Sequence, residues 1–101
     1  MNYSVVFRSV AERQWAEAYD RYRRVNPQIA IQFSNEVIAA IERIRQDPLM
    51  PREEFLGFRS VGLKRFPYRA YYKLKESRIS ISLIWHSKRS PRTMKRFLRR
   101  G

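Results

Sequence analysis

The chain has no cysteine, three glycines, one histidine and no long apolar run. Without cysteine there is no disulfide framework, no thiol nucleophile and no thiolate metal site, and a reducing compartment suits the chain. A single histidine, with no carboxylate cluster in the second half, argues against the usual zinc and calcium ligand sets, so no metal or other cofactor is expected. Gly57, Gly62 and Gly101 lie too far apart to make a phosphate-cradling loop. No stretch approaches the roughly 20 apolar residues of a membrane span. The opening Met1-Asn2-Tyr3-Ser4-Val5-Val6-Phe7 lacks the basic start of a secretory signal. A cytoplasmic protein with no membrane partner is the expectation.

Acids are scarce in one half only. Residues 1–54 carry eight arginines and eight acids, whereas residues 55–101 carry fourteen lysines and arginines against Glu76 alone, so the second half holds the whole net charge of +13. Such one-sided cation density opposes folding by self-repulsion and is best understood with a polyanion or an acidic protein as partner. Arginine supplies 17 of the 22 cations, a bias toward bidentate contacts with phosphate or carboxylate. With 44% hydrophobic and 14% aromatic residues in 101, the composition is that of one globular domain spanning 1–101, not of a disordered chain.

The period of the apolar residues gives the order of elements. Tyr3, Val5 and Phe7 alternate with Ser4, Val6 and Arg8, which suits a strand. Ser9-Val10-Ala11-Glu12 reads as a capping box with Ser9 as N-cap, followed by a stripe of Ala11, Trp15, Ala18, Tyr19 and Tyr22 at helical spacing. Asn26-Pro27 restarts a helix whose stripe is Ala30, Phe33, Val37, Ile41 and Ile44, ended by Asp47-Pro48. The two helices form an antiparallel hairpin, and Arg8, Arg13, Arg21, Arg23 and Arg24, with acids nearby, read as a solvated face.

From Phe55 the period falls to two. Phe58 to Leu63 is a short strand, with Gly62 marking a bulge. In the next strand Phe66, Tyr68, Ala70, Tyr72 and Leu74 share a core face, while Arg69, Tyr71, Lys73 and Lys75 share a charged one. Glu76-Ser77-Arg78 turns the chain into a strand with Ile79, Ile81, Leu83 and Trp85 on one side and Ser80, Ser82, Ile84 and His86 on the other. Ser90-Pro91 opens a basic segment on which Met94, Phe97 and Leu98 give one apolar side. The expected fold is α+β, β-α-α-β-β-β: a helical hairpin packed on a small, mainly antiparallel sheet, with a basic C-terminal tail that folds back.

This order, with Arg65-Phe66-Pro67-Tyr68-Arg69-Ala70-Tyr71-Tyr72 and Ile84-Trp85-His86-Ser87-Lys88-Arg89-Ser90-Pro91, resembles the RelE/ParE superfamily of toxins from type II toxin–antitoxin systems, over Tyr3 to about Arg92. The resemblance implies one of two activities. RelE-like members cut mRNA on the ribosome; ParE-like members, also known as plasmid-stabilisation proteins, inhibit DNA gyrase. In both, a cognate antitoxin with an acidic segment lies across the basic surface and orders on binding.

RNA cleavage by an activated 2′-hydroxyl needs a general base, a general acid and cations for the phosphorane charge. The nuclease candidates are His86 as acid or base with Arg65, Arg69 and Arg89. A bland reading of His86 is a strand-end side chain bonded to a backbone carbonyl. The superfamily's nucleases often carry a Tyr or His close to the C-terminus, and here no Tyr follows Tyr72 and no His follows His86. That departure favours the ParE-like branch, a growth-inhibiting binding protein, over a metal-independent endoribonuclease. A basic nucleic-acid-binding protein without toxicity is a third reading. The residues expected to meet the target or the antitoxin are Arg59, Lys64, Arg65, Arg69, Tyr71, Lys73, Arg89, Arg92, Lys95, Arg96, Arg99 and Arg100.

Overall fold

A computed structural model describes residues 2–100. The elements run β1 (Ser4–Phe7), α1 (Ser9–Val25), α2 (Pro27–Gln46), β2 (Phe58–Gly62), β3 (Tyr68–Lys75), β4 (Arg78–His86) and α3 (Pro91–Arg100). The sheet order is β1-β4-β3-β2; β2–β3 and β3–β4 are antiparallel, and β1–β4 is parallel. The fold is α+β, with the α1–α2 hairpin on one face of the sheet and α3 on the other.

Local chemistry explains most boundaries. Asn26 caps α2, its Oδ1 accepting from the Gln28 N–H at 2.9 Å, with Pro27 in the first turn. Ser90 caps α3 the same way, its Oγ accepting from the Arg92 N–H at 3.2 Å and the Thr93 N–H at 3.4 Å. At α1 the expected capping box does not form. Arg8 is the N-cap and has no side-chain cap, and Ser9 is already helical. The sheet sets this start: the Arg8 N–H donates to the Ile81 carbonyl at 2.9 Å, holding Arg8 extended, while its own carbonyl accepts from the Glu12 N–H at 3.1 Å.

Gly62 is not a bulge either. It pairs regularly with Arg69, and its missing side chain leaves room for that arginine, since a Cβ there would lie 2.8 Å from the guanidinium. The irregularity sits one strand away. Tyr71 pairs with Leu83 and Tyr72 with Ile81, so Ser82 is the extra residue of a bulge in β4.

That one residue inverts the phase of the strand. Before it, Ile79 and Ile81 join the hairpin core; after it, Ile84 does so, and Leu83 and Trp85 turn to the opposite face. The expectation that Ile79, Ile81, Leu83 and Trp85 share a side is therefore corrected, because strict alternation fails at a bulge. The hairpin core holds Ala11, Ala18, Phe33, Val37, Ile44, Tyr68, Ala70 and Tyr72 with the three isoleucines of β4. A second layer under α3 holds Phe58, Tyr71, Leu83, Trp85, Met94 and Leu98. The basic tail is thus a docked helix: Leu98 is 2% exposed. No helix among the described residues is long and apolar enough to cross a membrane.

Candidate functional site

Alternation in β3 places Arg69, Tyr71 and Lys73 on the α3 side of the sheet, as their spacing predicts. Their surroundings differ from an open cationic platform. Tyr71 is only 7% exposed, sealed beneath α3 among Phe58, Leu83 and Trp85, so it is a core residue and not the ligand-facing aromatic expected. Burial, and then the nearby Glu54 carboxylate, push its phenol pKa up. Arg69 is half-buried and tied down: its Nε donates to Ser60 Oγ at 2.9 Å, and the Ser60 hydroxyl donates to Glu54. An acid from the neutral half therefore reaches this face and partly offsets Arg69. Lys73 stays exposed, its ammonium 5.0 Å from the centre of the Phe58 ring. The stem fits because Gly57, at φ +85° in the turn before β2, presents no side chain to it; a Cβ would come within 3.1 Å of Lys73 Cε.

Three other predicted residues lie away from this face. Arg59 pairs in register with Tyr72 and donates to the Pro51 carbonyl at 2.6 Å, strapping the loop before β2. Arg65 sits in the β2–β3 connection, where its N–H donates to Glu36 of α2 at 2.9 Å and its guanidinium is 4.0 Å from the same carboxylate. Lys64, its neighbour, is exposed in the same connection. His86 is turned by the bulge onto the hairpin side, away from Arg69, which a nuclease site built on both would need beside it. Its ring meets Tyr68 edge-on at 4.9 Å, and Nδ1 accepts from the Lys88 N–H at 3.1 Å. It lines a small cavity of about 100 Å³ with Gln14, Glu17, Arg21 and Arg89. The four nuclease candidates do not converge: His86 and Arg89 share that cavity, while Arg65 and Arg69 lie elsewhere.

What the α3 side offers is cations seated on aromatic rings. The Arg89 guanidinium stacks 4.0 Å from the Trp85 ring centre and 5.9 Å from that of Phe97. Lys95 and Arg99, one turn apart on α3, flank Phe55 at 5.2 and 5.5 Å. Each such contact stabilises by about 0.5–1 kcal/mol at exposed sites and fixes the charge in place. Arg92, Arg96 and Arg100 complete the exposed surface of α3.

On the side of the sheet that carries Lys73 and Lys75 lie two cavities that sequence reasoning did not anticipate. One, of about 480 Å³, is lined by Arg8, Phe58, Lys73, Leu74, Lys75, Arg78, Ser80 and Ser82. The other, of about 230 Å³ between α3 and the start of α1, is lined by Arg8, Ser9, Val10, Arg13, Ser82, Leu83, Phe97 and Arg100. Arg8 and Arg13 were read as part of an acid-balanced helix face. That holds for Arg23 and Arg24, which pair with Asp20 at 2.7 and 2.8 Å and hold its carboxyl below the usual range. It fails for Arg8 and Arg13, which the parallel β1–β4 pairing carries to the cationic side. Lys75 was legible as a member of the Lys73 face; the place of Arg78 required the register Lys75–Arg78.

The fold is shared with a solved protein described as the chromosomal ParDE toxin–antitoxin system from P. aeruginosa: TM-score 0.75 and 21% identity, covering 85% of this chain and 97% of that one. No curated protein sequence matches the chain. The family model described as "ParE toxin of type II toxin-antitoxin system, parDE" matches residues 5–91, from β1 through the start of α3. With the hairpin-on-sheet order and the cationic C-terminal side, this match assigns the chain: it belongs to the ParE toxin family of type II toxin–antitoxin systems.

Proposed function

We propose that this ParE-family toxin arrests growth in the cytoplasm by inhibiting DNA gyrase, with α3 and the adjoining sheet edge as the contact surface. The observation that carries this reading over mRNA cleavage is the separation of the four candidate catalytic residues. Cleavage needs base, acid and cations around one phosphate; here His86 faces the hairpin and Arg69, on the opposite face, is engaged by Ser60. Family membership brings a cognate antitoxin, and an acidic segment of it fits the exposed cations Lys73, Lys95 and Arg99, the last two flanking the partly exposed Phe55 ring, which doubles as an apolar anchor.

Purified toxin added to gyrase is expected to block supercoiling while leaving mRNA intact on translating ribosomes, and equimolar antitoxin to restore supercoiling. Untouched supercoiling with cut transcripts would move the protein to the nuclease branch. For the antitoxin surface, reversing Lys95 and Arg99 to Glu is expected to slow association mainly at low salt, since exposed charges act on the encounter rate. An unchanged rate places the antitoxin elsewhere.

A further inference from the structure

We infer that the two neighbouring cavities around Arg8 and Ser82 form one track that binds the phosphodiester backbone of nucleic acid directly. They share Arg8 and Ser82, so they lie side by side, and together they carry six cations: Arg8, Arg13, Lys73, Lys75, Arg78 and Arg100. Among the described residues no acid lines either cavity, and none of the six enters an ion pair.

The cations come from four elements held in fixed register. Lys73 and Lys75 alternate along β3 on one face, about 6.8 Å apart by strand geometry. Arg78 stands opposite Lys75 and beside Ser4 of β1. Arg8 projects from backbone pinned at both its N–H and its carbonyl. Arg13 and Arg100 extend the line between α1 and α3. The Ser80 hydroxyl adds a neutral donor, the Ser82 hydroxyl donating instead to the Ser80 carbonyl at 3.4 Å, so the lining joins Arg, Lys and Ser, side chains that contact phosphate oxygens.

The same lining argues against a peptide. Protein interfaces centre on apolar or aromatic anchors. Here Phe58 is 3% exposed beneath Lys73, which leaves Phe97 as the one partly exposed ring in the lining. Protein–nucleic acid interfaces are more polar and far more positive. The track goes beyond the gyrase reading and does not depend on it.

The test is fluorescence anisotropy with the full-length protein and a short labelled DNA duplex of arbitrary sequence, without gyrase or antitoxin. Neutralising six phosphates predicts an affinity falling about 10³-fold between about 50 and 200 mM salt. Lys75→Ala with Arg78→Ala, both exposed at the hairpin turn, is expected to lower the slope of log K against log salt by about 2, alike for all sequences. Arg23→Ala with Arg24→Ala removes the same charge from outside the track and is expected to leave the slope unchanged. Equal effects of the two double variants would reduce the binding to net charge and overturn the proposal. Displacement of the duplex by poly-glutamate at matched charge concentration would assign the track to an acidic peptide and also overturn it. A competing RNA hairpin distinguishes the sources of the backbone: binding of either nucleic acid supports the track, and failure of both to bind refutes it.

Discussion

Tyr72 tests the hairpin core and its electrostatics together. Its ring is fully buried, and its hydroxyl donates to the Pro48 carbonyl at 2.7 Å, pinning the end of α2 to the sheet. Burial, the largest cause, pushes the phenol pKa from 10.0 up to about 12. The folded state therefore holds this proton more tightly than the unfolded chain does. The resulting stability is complete below pH 10 and drains away as pH rises through about 12. At pH near 11, a two-unit shift corresponds to a loss of about 1.4 kcal/mol. Tyr72→Phe removes the donor and leaves the buried Pro48 carbonyl unpaired, which costs about 1–3 kcal/mol at neutral pH. Because the variant has no phenol to ionise there, the stability gap to the parent is expected to shrink by about 1.4 kcal/mol between neutral pH and pH 11. Urea unfolding of both proteins at the two pH values measures this difference, and the titration of other groups cancels from it. A gap that stays constant would show that Tyr72 ionises as an ordinary phenol and that the burial argument is wrong.

Other perturbations read the remaining layers. Leu98→Ala, at 2% exposure in the layer it shares with Trp85, is expected to cost about 2–5 kcal/mol by thermal unfolding, with red-shifted tryptophan emission if α3 loosens. Asn26→Ala removes the α2 cap and is expected to cost about 1 kcal/mol by urea titration, whereas Asn26→Gly costs only a few tenths. Deleting Ser82 removes the extra residue and leaves Ile81 and Leu83 opposite Tyr72 and Tyr71 in a regular ladder, so Leu83 and Trp85 are expected to keep the α3 side. The folded circular dichroism signal is expected to persist, and its loss would contradict Ser82 as the extra residue of the bulge.

Much of this architecture was legible because it is local. Helical spacing gave α1 and α2, Asn26-Pro27 and Ser90-Pro91 gave two true caps, and alternation gave the hairpin face of β3 with Tyr68, Ala70 and Tyr72. What the sequence concealed depends on contacts between distant segments. A period of two carries no mark of the residue at which it slips, so Ser82 went unseen and with it the sides taken by Ile84, His86, Leu83 and Trp85. Tyr71 looked exposed because nothing in its own strand announces that α3 covers it. The capping box failed by one position because pairing of Arg8 with Ile81 set the helix start. The charge partition correctly pointed to a cationic side. Which cations share a surface was decided by the sheet order, which draws in Arg8 and Arg13 and leaves Arg59 and Arg65 elsewhere.

The parallel pairing of β1 with β4 has a consequence for how the molecule assembles. Val5 meets Ile79 and Phe7 meets Ile81, so β1 has no neighbour in the sheet until β4 has been made. The helical hairpin can form early from local contacts, but its apolar stripe stays uncovered meanwhile. Closure of the sheet, and with it the gathering of Arg8 and Arg13 beside the later cations, is a late event. A chain released before β4 would carry a near-neutral, sticky hairpin and no assembled cationic surface, so that surface exists only once β4 has been made.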